Sequence, residues 1–403
     1  MLRLTGAVLT TVSAVLFLAV FFADLFGLHT NPYLGVLFFL VLPGVFVAGL
    51  ILFAVGHWPV SWPRIDLGNP THRATAAIVL LLTLANVVIV SMAAYRGVEY
   101  MDSVAFCGQV CHTVMQPEFV AHEVGSHANV KCIDCHAGPG AMSFVSAKAA
   151  GTRRVLAVIR GNYATPIAPE PSQLPTAAET CEQCHSSARF RGERINRAIE
   201  YADNEKNVAS ETKIKFDLRK VHTHMDKGIE FAATDKTRQT IPYVRVKNAD
   251  GSVREYATDS GLAVRDSGIV RRMDCMDCHN RPSHVIAPTP DRAVNEAIAA
   301  GAIPLTLPFV HREAVKALKA GNSASLRDFY RSQPRDQVDA AASAVDAIVR
   351  RNVFPAMHVT FGSYPNNIGH IDSPGCFRCH DDDHKSKDGR KIGQDCETCH
   401  TIE

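Results

Sequence analysis

Twelve cysteines fall into six pairs, and a histidine follows each pair at once: Cys107, Cys111 and His112; Cys132, Cys135 and His136; Cys181, Cys184 and His185; Cys275, Cys278 and His279; Cys376, Cys379 and His380; Cys396, Cys399 and His400. In C-x-x-C-H the two thiols add to the vinyl groups of a haem, and the short turn that carries them presents the histidine to the iron. Disulfides would not require a histidine behind every pair, and a zinc site would need separate pairs to meet in space. The pattern therefore predicts six covalently bound haem c groups, with these six histidines as proximal iron ligands. The first pair is the exception, with three intervening residues instead of two, yet His112 still adjoins the second thioether. Covalent attachment of haem c takes place outside the cytoplasm, so the haem-bearing part is expected on the periplasmic or extracellular side.

A second iron ligand must come from elsewhere in the chain. Beyond residue 102, nine histidines follow no cysteine pair: His122, His127, His222, His224, His284, His311, His358, His370 and His384. Nine candidates for six irons are enough to close every iron to substrates, which suits electron transfer better than catalysis at the metal. Closeness to a motif, or membership of a histidine pair, selects His127, His284, His370 and His384, then one or both of His222 and His224. His311 sits on a helix-like face and ranks lower. Met115, three residues after His112, is a candidate axial ligand at the first site or a packing residue against the porphyrin.

The elements that position these groups divide in two. The chain has 403 residues, a net charge of +2 and 47% hydrophobic residues, but its apolar residues are concentrated near the N-terminus. Leu4 to Ala23, Tyr33 to Val55 and Ala74 to Tyr95 carry no charge and are each long enough for a bilayer core, which takes about 20 helical residues. Three transmembrane helices are therefore expected, the first an uncleaved anchor because no small-residue cleavage site precedes Asp24. Arg3, Arg64 and Arg73 on the loop side place the N-terminus in the cytoplasm of a bacterial inner membrane, and Trp58 and Trp62 mark the interface. His29, His57 and His72 lie in loops, which argues against haem b within the spans.

The expected organisation is a transmembrane hairpin over 1–60, a cytoplasmic loop end and third span over 61–101, three haem motifs over 102–190, a haem-free insertion over 191–274 and three further motifs over 275–403. The fold class is mainly α and irregular, with the haems forming much of the periplasmic core. Alternation around Asn248 to Gly251 in YVRVKNADGSVREY predicts a β-hairpin inside the first insertion. A second haem-free stretch, 289–351, has helix-forming composition at Asp291 to Ala300, Arg312 to Ala320 and Gln337 to Arg351.

The stretch FCGQVCHTVMQPEFVAHEVGSHANVKCIDCH resembles the start of the membrane-anchored multihaem quinol dehydrogenases of the NapC/NirT family. In that family a transmembrane helix leads into a haem site, then a methionine, a histidine and a second C-x-x-C-H; here these are Ala74 to Tyr95, Cys107/Cys111/His112, Met115, His127 and Cys132/Cys135/His136. The likeness is specific over 74–136 and extends through the third and fourth motifs. Three departures stand out: one extra residue in the first motif and one before the methionine, an additional hairpin over 1–60, and two closing motifs in GCFRCHDDDHKSKDGRKIGQDCETCH.

What the resemblance implies is oxidation of membrane quinol at the outer surface and single-electron transfer along the haems to a periplasmic or outer-membrane redox partner. Asp24, His29, Glu99 and Asp102 lie near the outer ends of the spans and are the candidate proton acceptors for that chemistry. Two other readings are a relay subunit that packs residues 1–60 against integral membrane partners and has no quinol site of its own, and a terminal reductase. The last lacks support from any C-x-x-C-K motif of the kind that pentahaem nitrite reductases carry. Nothing in the sequence points to nucleic acid.

Overall fold

Long uncharged runs have no partner for their backbone groups in lipid except their own helix, and the N-terminal residues wind accordingly. The computed structural model describes all residues except 26–36, 57–65, 67, 168–173, 186–191, 249 and 403. The chain divides into two compact units, Met1–His112 and Thr113–Glu403. The first contains helices α1 (Leu2–Leu25), α2 (Leu42–Val55) and α3 (Pro70–Met101).

Two of these helices, not the expected three, are long and apolar enough to cross a membrane: α1 over Leu2–Ala23 and α3 over Pro70–Met101. The middle run is shorter, a π-helical turn over Leu37–Val41 followed by the 14-residue α2. Pro43, in the first turn of α2, has no N–H to donate, so regular α-winding starts afresh there and the preceding turn is wide. Residues 33–36 of the expected span lie outside the described residues, as do His29, His57, Trp58, Trp62 and Arg64.

α1 and α2 form an antiparallel hairpin, with the Arg3 Nε donating to the Gly56 carbonyl at 2.6 Å. Their backbones touch: a Cβ on Gly6 would fall 2.4 Å from the Phe53 nitrogen, and one on Gly49 would fall 2.5 Å from the Thr10 hydroxyl. Small residues at such a crossing are how helices pack where no hydrophobic drive separates them from lipid. The outer faces, from Val8, Val12 and Leu16 to Ile78–Leu82 on α3, are exposed and apolar, a surface matched to lipid.

The second unit is mostly helical with two small antiparallel sheets. Its helices are α4 (His112–Glu123, which begins at the last residue of the first unit), α5 (Cys132–His136), α6 (Ala141–Ile159), α7 (Leu218–Asp226), α8 (Gly261–Ser267), α9 (Cys275–Cys278), α10 (Pro290–Ala299), α11 (Val310–Ala320), α12 (Ala324–Phe329) and α13 (Arg335–Asn352). Strands β1 (Glu193–Tyr201), β2 (Ala209–Asp217) and β7 (His400–Ile402) make one sheet in the order β1-β2-β7; β3 (Glu230–Ala232), β4 (Tyr243–Lys247), β5 (Val253–Ala257) and β6 (Arg271–Arg272) make the other in the order β5-β4-β3-β6. The β4/β5 hairpin pairs Tyr243 with Ala257 and Lys247 with Val253. The longer β1/β2 hairpin is not visible in the sequence pattern, because ERINRAIEY is polar with no clean alternation and most of β1 is exposed.

The largest apolar core is not built around the haem motifs. It fills the helical insertion, where Val294, Leu307, Val310, Ala314, Leu326, Ala341 and Val345 of α10 to α13 and their connections are wholly buried. α10 starts where Thr289 accepts from the Arg292 N–H at 3.0 Å, and α11 stops at Gly321 with φ 77°, a conformation that costs a glycine least. The β1/β2 turn docks here, with Asn207 Nδ2 donating to the Leu307 carbonyl at 2.9 Å and the Tyr201 N–H to Asn295 Oδ1 at 2.9 Å. Leu326→Ala is expected to destabilise this insertion by about 2–5 kcal/mol while leaving the haem absorbance spectrum unchanged, which denaturant melts followed by far-ultraviolet dichroism and by visible absorbance would separate.

Candidate multihaem site

Each motif is a single tight turn. Cys132–His136 and Cys275–Cys278 are one-turn helices, and Cys181–Gln183, Gly375–Arg378 and Cys396–Thr398 are 3-10 turns. In the third, fourth and fifth motifs the histidine N–H donates to the carbonyl of the first cysteine, at 2.8, 2.8 and 3.1 Å. Side chains in the x-x positions fix two of these turns: Asp134 and Asp277 each accept from the main-chain N–H three residues earlier, at 3.2 and 2.8 Å.

The first motif differs in winding as it does in spacing. Phe106–Val110 is a π-helical turn, and Cys111 leaves it with φ −97° and ψ 43°. A π turn takes up more residues than an α turn, so the additional residue between Cys107 and Cys111 is absorbed as one wider turn. In the same unit Glu99, a candidate proton acceptor, is paired with Arg96 at 2.9 Å, and the Arg96 guanidinium lies 5.2 Å from the Phe21 ring centroid on α1. Asp102 caps the end of α3. Asp24 is on the last turn of α1, with its side chain outside the described residues, and His29 lies outside them altogether.

All twelve thiols are free of disulfides. Burial raises several of them, Cys278 to about 11 and Cys379 to about 12. Among the described residues no three cysteine, histidine or acidic side chains converge on a common metal position.

The histidines converge in pairs instead. An iron about 2 Å from a nitrogen of each imidazole holds the two ring centroids about 6 Å apart. Five motif histidines each face one histidine from outside the motifs at that spacing: His136 and His284 at 6.1 Å, His185 and His127 at 6.0 Å, His279 and His222 at 6.4 Å, His380 and His224 at 5.9 Å, His400 and His370 at 6.0 Å. The residues present therefore fit haem.

Hydrogen bonds set the tautomers. Nδ1 of His127 has the Ser126 hydroxyl at 3.1 Å as well as the Pro282 carbonyl at 3.3 Å. Nδ1 of His284 faces the Glu118 carbonyl at 3.0 Å, that of His222 the Leu218 carbonyl at 2.8 Å and that of His224 the Val221 carbonyl at 2.9 Å. A carbonyl only accepts, so Nδ1 carries the proton and the lone pair is on Nε2, the arrangement that orients an imidazole for a metal. Burial depresses the pKa of His136 to about 4 and lowers those of His224, His279, His284 and His400, which keeps these rings neutral as ligation requires.

His384 departs from the expectation placed on it. It is 1% exposed, its Nε2 donates to the Ile241 carbonyl at 2.7 Å and its Nδ1 bonds the Asp381 carboxylate at 2.8 Å. With both nitrogens committed it has no lone pair for an iron, and it pins the motif-five loop to the strand region before β4. His311, also buried, bonds Asp203 at 2.8 Å and joins α11 to the β1/β2 turn. His122 lies 6.4 Å from His284, but its Nε2 donates to the Val130 carbonyl at 2.9 Å. Met115 is half-buried on α4.

Sequence reading missed the charged groups behind the turns. Glu118 pairs with Arg281 at 3.0 Å beside His284, and Arg281 covers the Tyr364 ring at 3.9 Å. Asp277 and Arg378, the second intervening residues of the fourth and fifth motifs, form a buried knot: Asp277 pairs with Arg238 at 2.7 Å and Arg271 at 3.2 Å, while Arg378 Nη2 donates to the Asp277 carbonyl at 2.6 Å. Their signal was present, since opposite charges occupy the same slot of two motifs. Burial is the main cause that raises the Cys135, Cys275, Cys278 and Cys399 thiols, and thiols of other motifs add to it: Cys181 and Cys184 for Cys135, Cys181 for Cys275, and Cys376 for Cys278 and Cys399.

Apolar helices of membrane-spanning length, followed by cysteine–histidine turns with paired imidazoles, define a membrane-anchored multihaem c-type cytochrome that transfers electrons. Over an alignment of 443 residues the chain is 36% identical to the cytochrome c-type protein ImcH of Geobacter sulfurreducens, which covers 100% of this chain and 87% of that protein. The chain belongs to the family of that cytochrome. It is also 32% identical over 118 residues to the cytochrome c nitrite reductase subunit NrfH of Nitratidesulfovibrio vulgaris, covering 29% of this chain and 73% of that one. No protein-family profile matches the chain, and no solved structure matches it.

Proposed function

We propose that the chain carries six haem c groups, one on each cysteine pair, and that it takes electrons from membrane quinol and relays them to a periplasmic or outer-membrane redox partner. The observation that carries this reading is the set of five imidazole pairs, each a motif histidine and a second histidine about 6 Å apart; an iron held by both rings of a pair would keep no position for a substrate. When bound, each haem supplies a one-electron Fe(III)/Fe(II) couple. The chain's own residues do the rest. His284, His127 and His370 are assigned as the second ligands opposite His136, His185 and His400, and their Nδ1 contacts or ring stacking hold them in place, as with His370 on Phe377 at 4.2 Å.

Quinol oxidation releases two electrons and two protons for each quinone formed, so proton acceptors are needed beside the first motif. The Arg96-paired Glu99 lies in the last turn of α3 and Asp102 caps it, five residues before Cys107, and Asp24 and His29 are assigned to the same side of the membrane. A cytoplasmic N-terminus with the haem-bearing part on the periplasmic side is part of the proposal; it is supported by the α1/α2 hairpin, which returns the chain to the side of Arg3 before α3.

The test is anaerobic titration of the detergent-solubilised protein with a menaquinol analogue, followed by haem absorbance. Reduction of several haems, blocked by a quinol-site inhibitor, is the expected result. Reduction by dithionite but not by quinol would overturn the quinol assignment and make the chain a relay subunit of a larger complex.

A further inference from the structure

His222 and His224 are two residues apart on α7, and residues at that spacing point to nearly opposite sides of a helix. They cannot serve one iron. The His222 ring lies 6.4 Å from that of His279 with the planes 3° apart, and the His224 ring lies 5.9 Å from that of His380 with the planes 82° apart. Each side chain is aimed by its own helix, through Nδ1 contacts to the Leu218 and Val221 carbonyls. α7 itself is fixed at its start, where Asp217 accepts from the Arg219 N–H at 3.0 Å.

The same segment reaches the sixth motif. β2, which runs directly into α7, pairs Phe216 with His400 in antiparallel register, and the two rings are 5.5 Å apart. Lys220 on α7 donates to the Glu397 carbonyl at 3.3 Å. Arg378 ties the fourth and fifth motifs through the Asp277 carbonyl at 2.6 Å.

We infer that α7 is a double axial clamp: His222 is the second ligand of the iron held by His279, and His224 is the second ligand of the iron held by His380. One nine-residue helix thus supplies ligands to two different haems and fixes their separation, while β2 holds the third. The inference rests on the proposed haem attachment, but assigns what that reading alone does not, namely which histidine closes which iron. It also makes the two irons inequivalent. Near-parallel imidazoles give a ferric haem an ordinary rhombic paramagnetic resonance spectrum, and near-perpendicular ones give a strongly anisotropic low-field signal, because ring orientation sets the splitting of the iron d orbitals.

The test uses the full-length protein with haem content measured first. Six haems in the unaltered protein support the attachment reading independently of the clamp, and fewer would overturn that reading. His222→Gly is expected to convert one rhombic low-spin haem to high spin and leave the strongly anisotropic signals intact; His224→Gly is expected to remove one strongly anisotropic signal and leave the rhombic ones. Added imidazole should restore low spin in each, which a merely structural histidine would not allow. Unchanged low-spin spectra in both variants at full haem content, or loss of the same signal in both, would overturn the clamp. Should glycine prevent haem incorporation, His222→Met and His224→Met keep a ligating atom and are expected to shift the potential of one haem each, a different one in each variant; an identical shift in both would overturn it as well.

Discussion

Replacing His112 with alanine is expected to abolish reduction by quinol while dithionite still reduces the haems of the other five motifs. The first motif directly follows the membrane-length helix Pro70–Met101, and Cys107, Cys111 and His112 close the same unit that holds the apolar helices. On the proposed function it is therefore the motif at which a quinol confined to the bilayer would deliver its electrons. The remaining motifs lie in the second unit, with their own paired histidines, so their attachment does not depend on His112. Restoring the usual spacing by deleting Gln109 should also impair quinol reduction, because the π turn over Phe106–Val110 exists to carry the extra residue. Stopped-flow reduction by a quinol analogue, with a dithionite endpoint, measures both. Quinol reduction of the His112→Ala protein at the unaltered rate would place electron intake at another motif.

The largest stability effect is expected at Asp277→Ala. The Asp277 side chain is 0% exposed and faces Arg238, itself only 10% exposed, and Arg271. Burial pushes its carboxyl up to about 6, and the Asp274 N–H and Arg271 work against that rise, so the group remains the charge partner of two guanidiniums at neutral pH. Removing one member of a buried ion pair leaves the other desolvated and unpaired, at a cost of about 3–5 kcal/mol. Asp277 also braces its own turn through the Asp274 N–H at 2.8 Å. Arg271→Ala should cost less, since Arg271 is 27% exposed and can be compensated by water. Denaturant midpoints of the two variants and the unaltered protein, read by far-ultraviolet dichroism, give the comparison; midpoints equal to that of the unaltered protein would show that the knot contributes nothing to stability.

The apolar runs were read correctly as helices at both ends of the N-terminal unit, and α3 proved longer than its uncharged stretch because Asn69 and Pro70 start it earlier and Tyr95 to Met101 continue it. The middle run was over-read, since hydropathy does not register that Pro43 interrupts the hydrogen-bond ladder. The helical insertion was legible to within a few residues, as its buried positions recur at helical spacing. The β1/β2 hairpin was not, because its strands are held by docking of its turn onto α11 and by β7, which arrives from the far end of the chain.

Among the histidines, closeness to a motif in sequence picked out His127, His284 and His370, which each face a motif histidine, but it carried no information on which motif they face and it also picked out His384. His384, four residues after His380, is locked between Asp381 and the Ile241 carbonyl, while His127 faces His185 across more than fifty residues. A carbonyl or carboxylate contributed by a distant segment decides which ring nitrogen keeps its lone pair.

The sequence by itself determined the chemistry of attachment, because two thiols and a histidine on one tight turn are a local device that needs no tertiary partner. It also determined which residues seek lipid, since that follows from composition over a single helix length. Only the tertiary structure decided which second imidazole meets which motif, and that Asp277 and Arg378 lock two motifs together. Those pairings join segments far apart in the chain, and their geometry is fixed by how helices such as α7 and strands such as β2 pack, which no local spacing encodes.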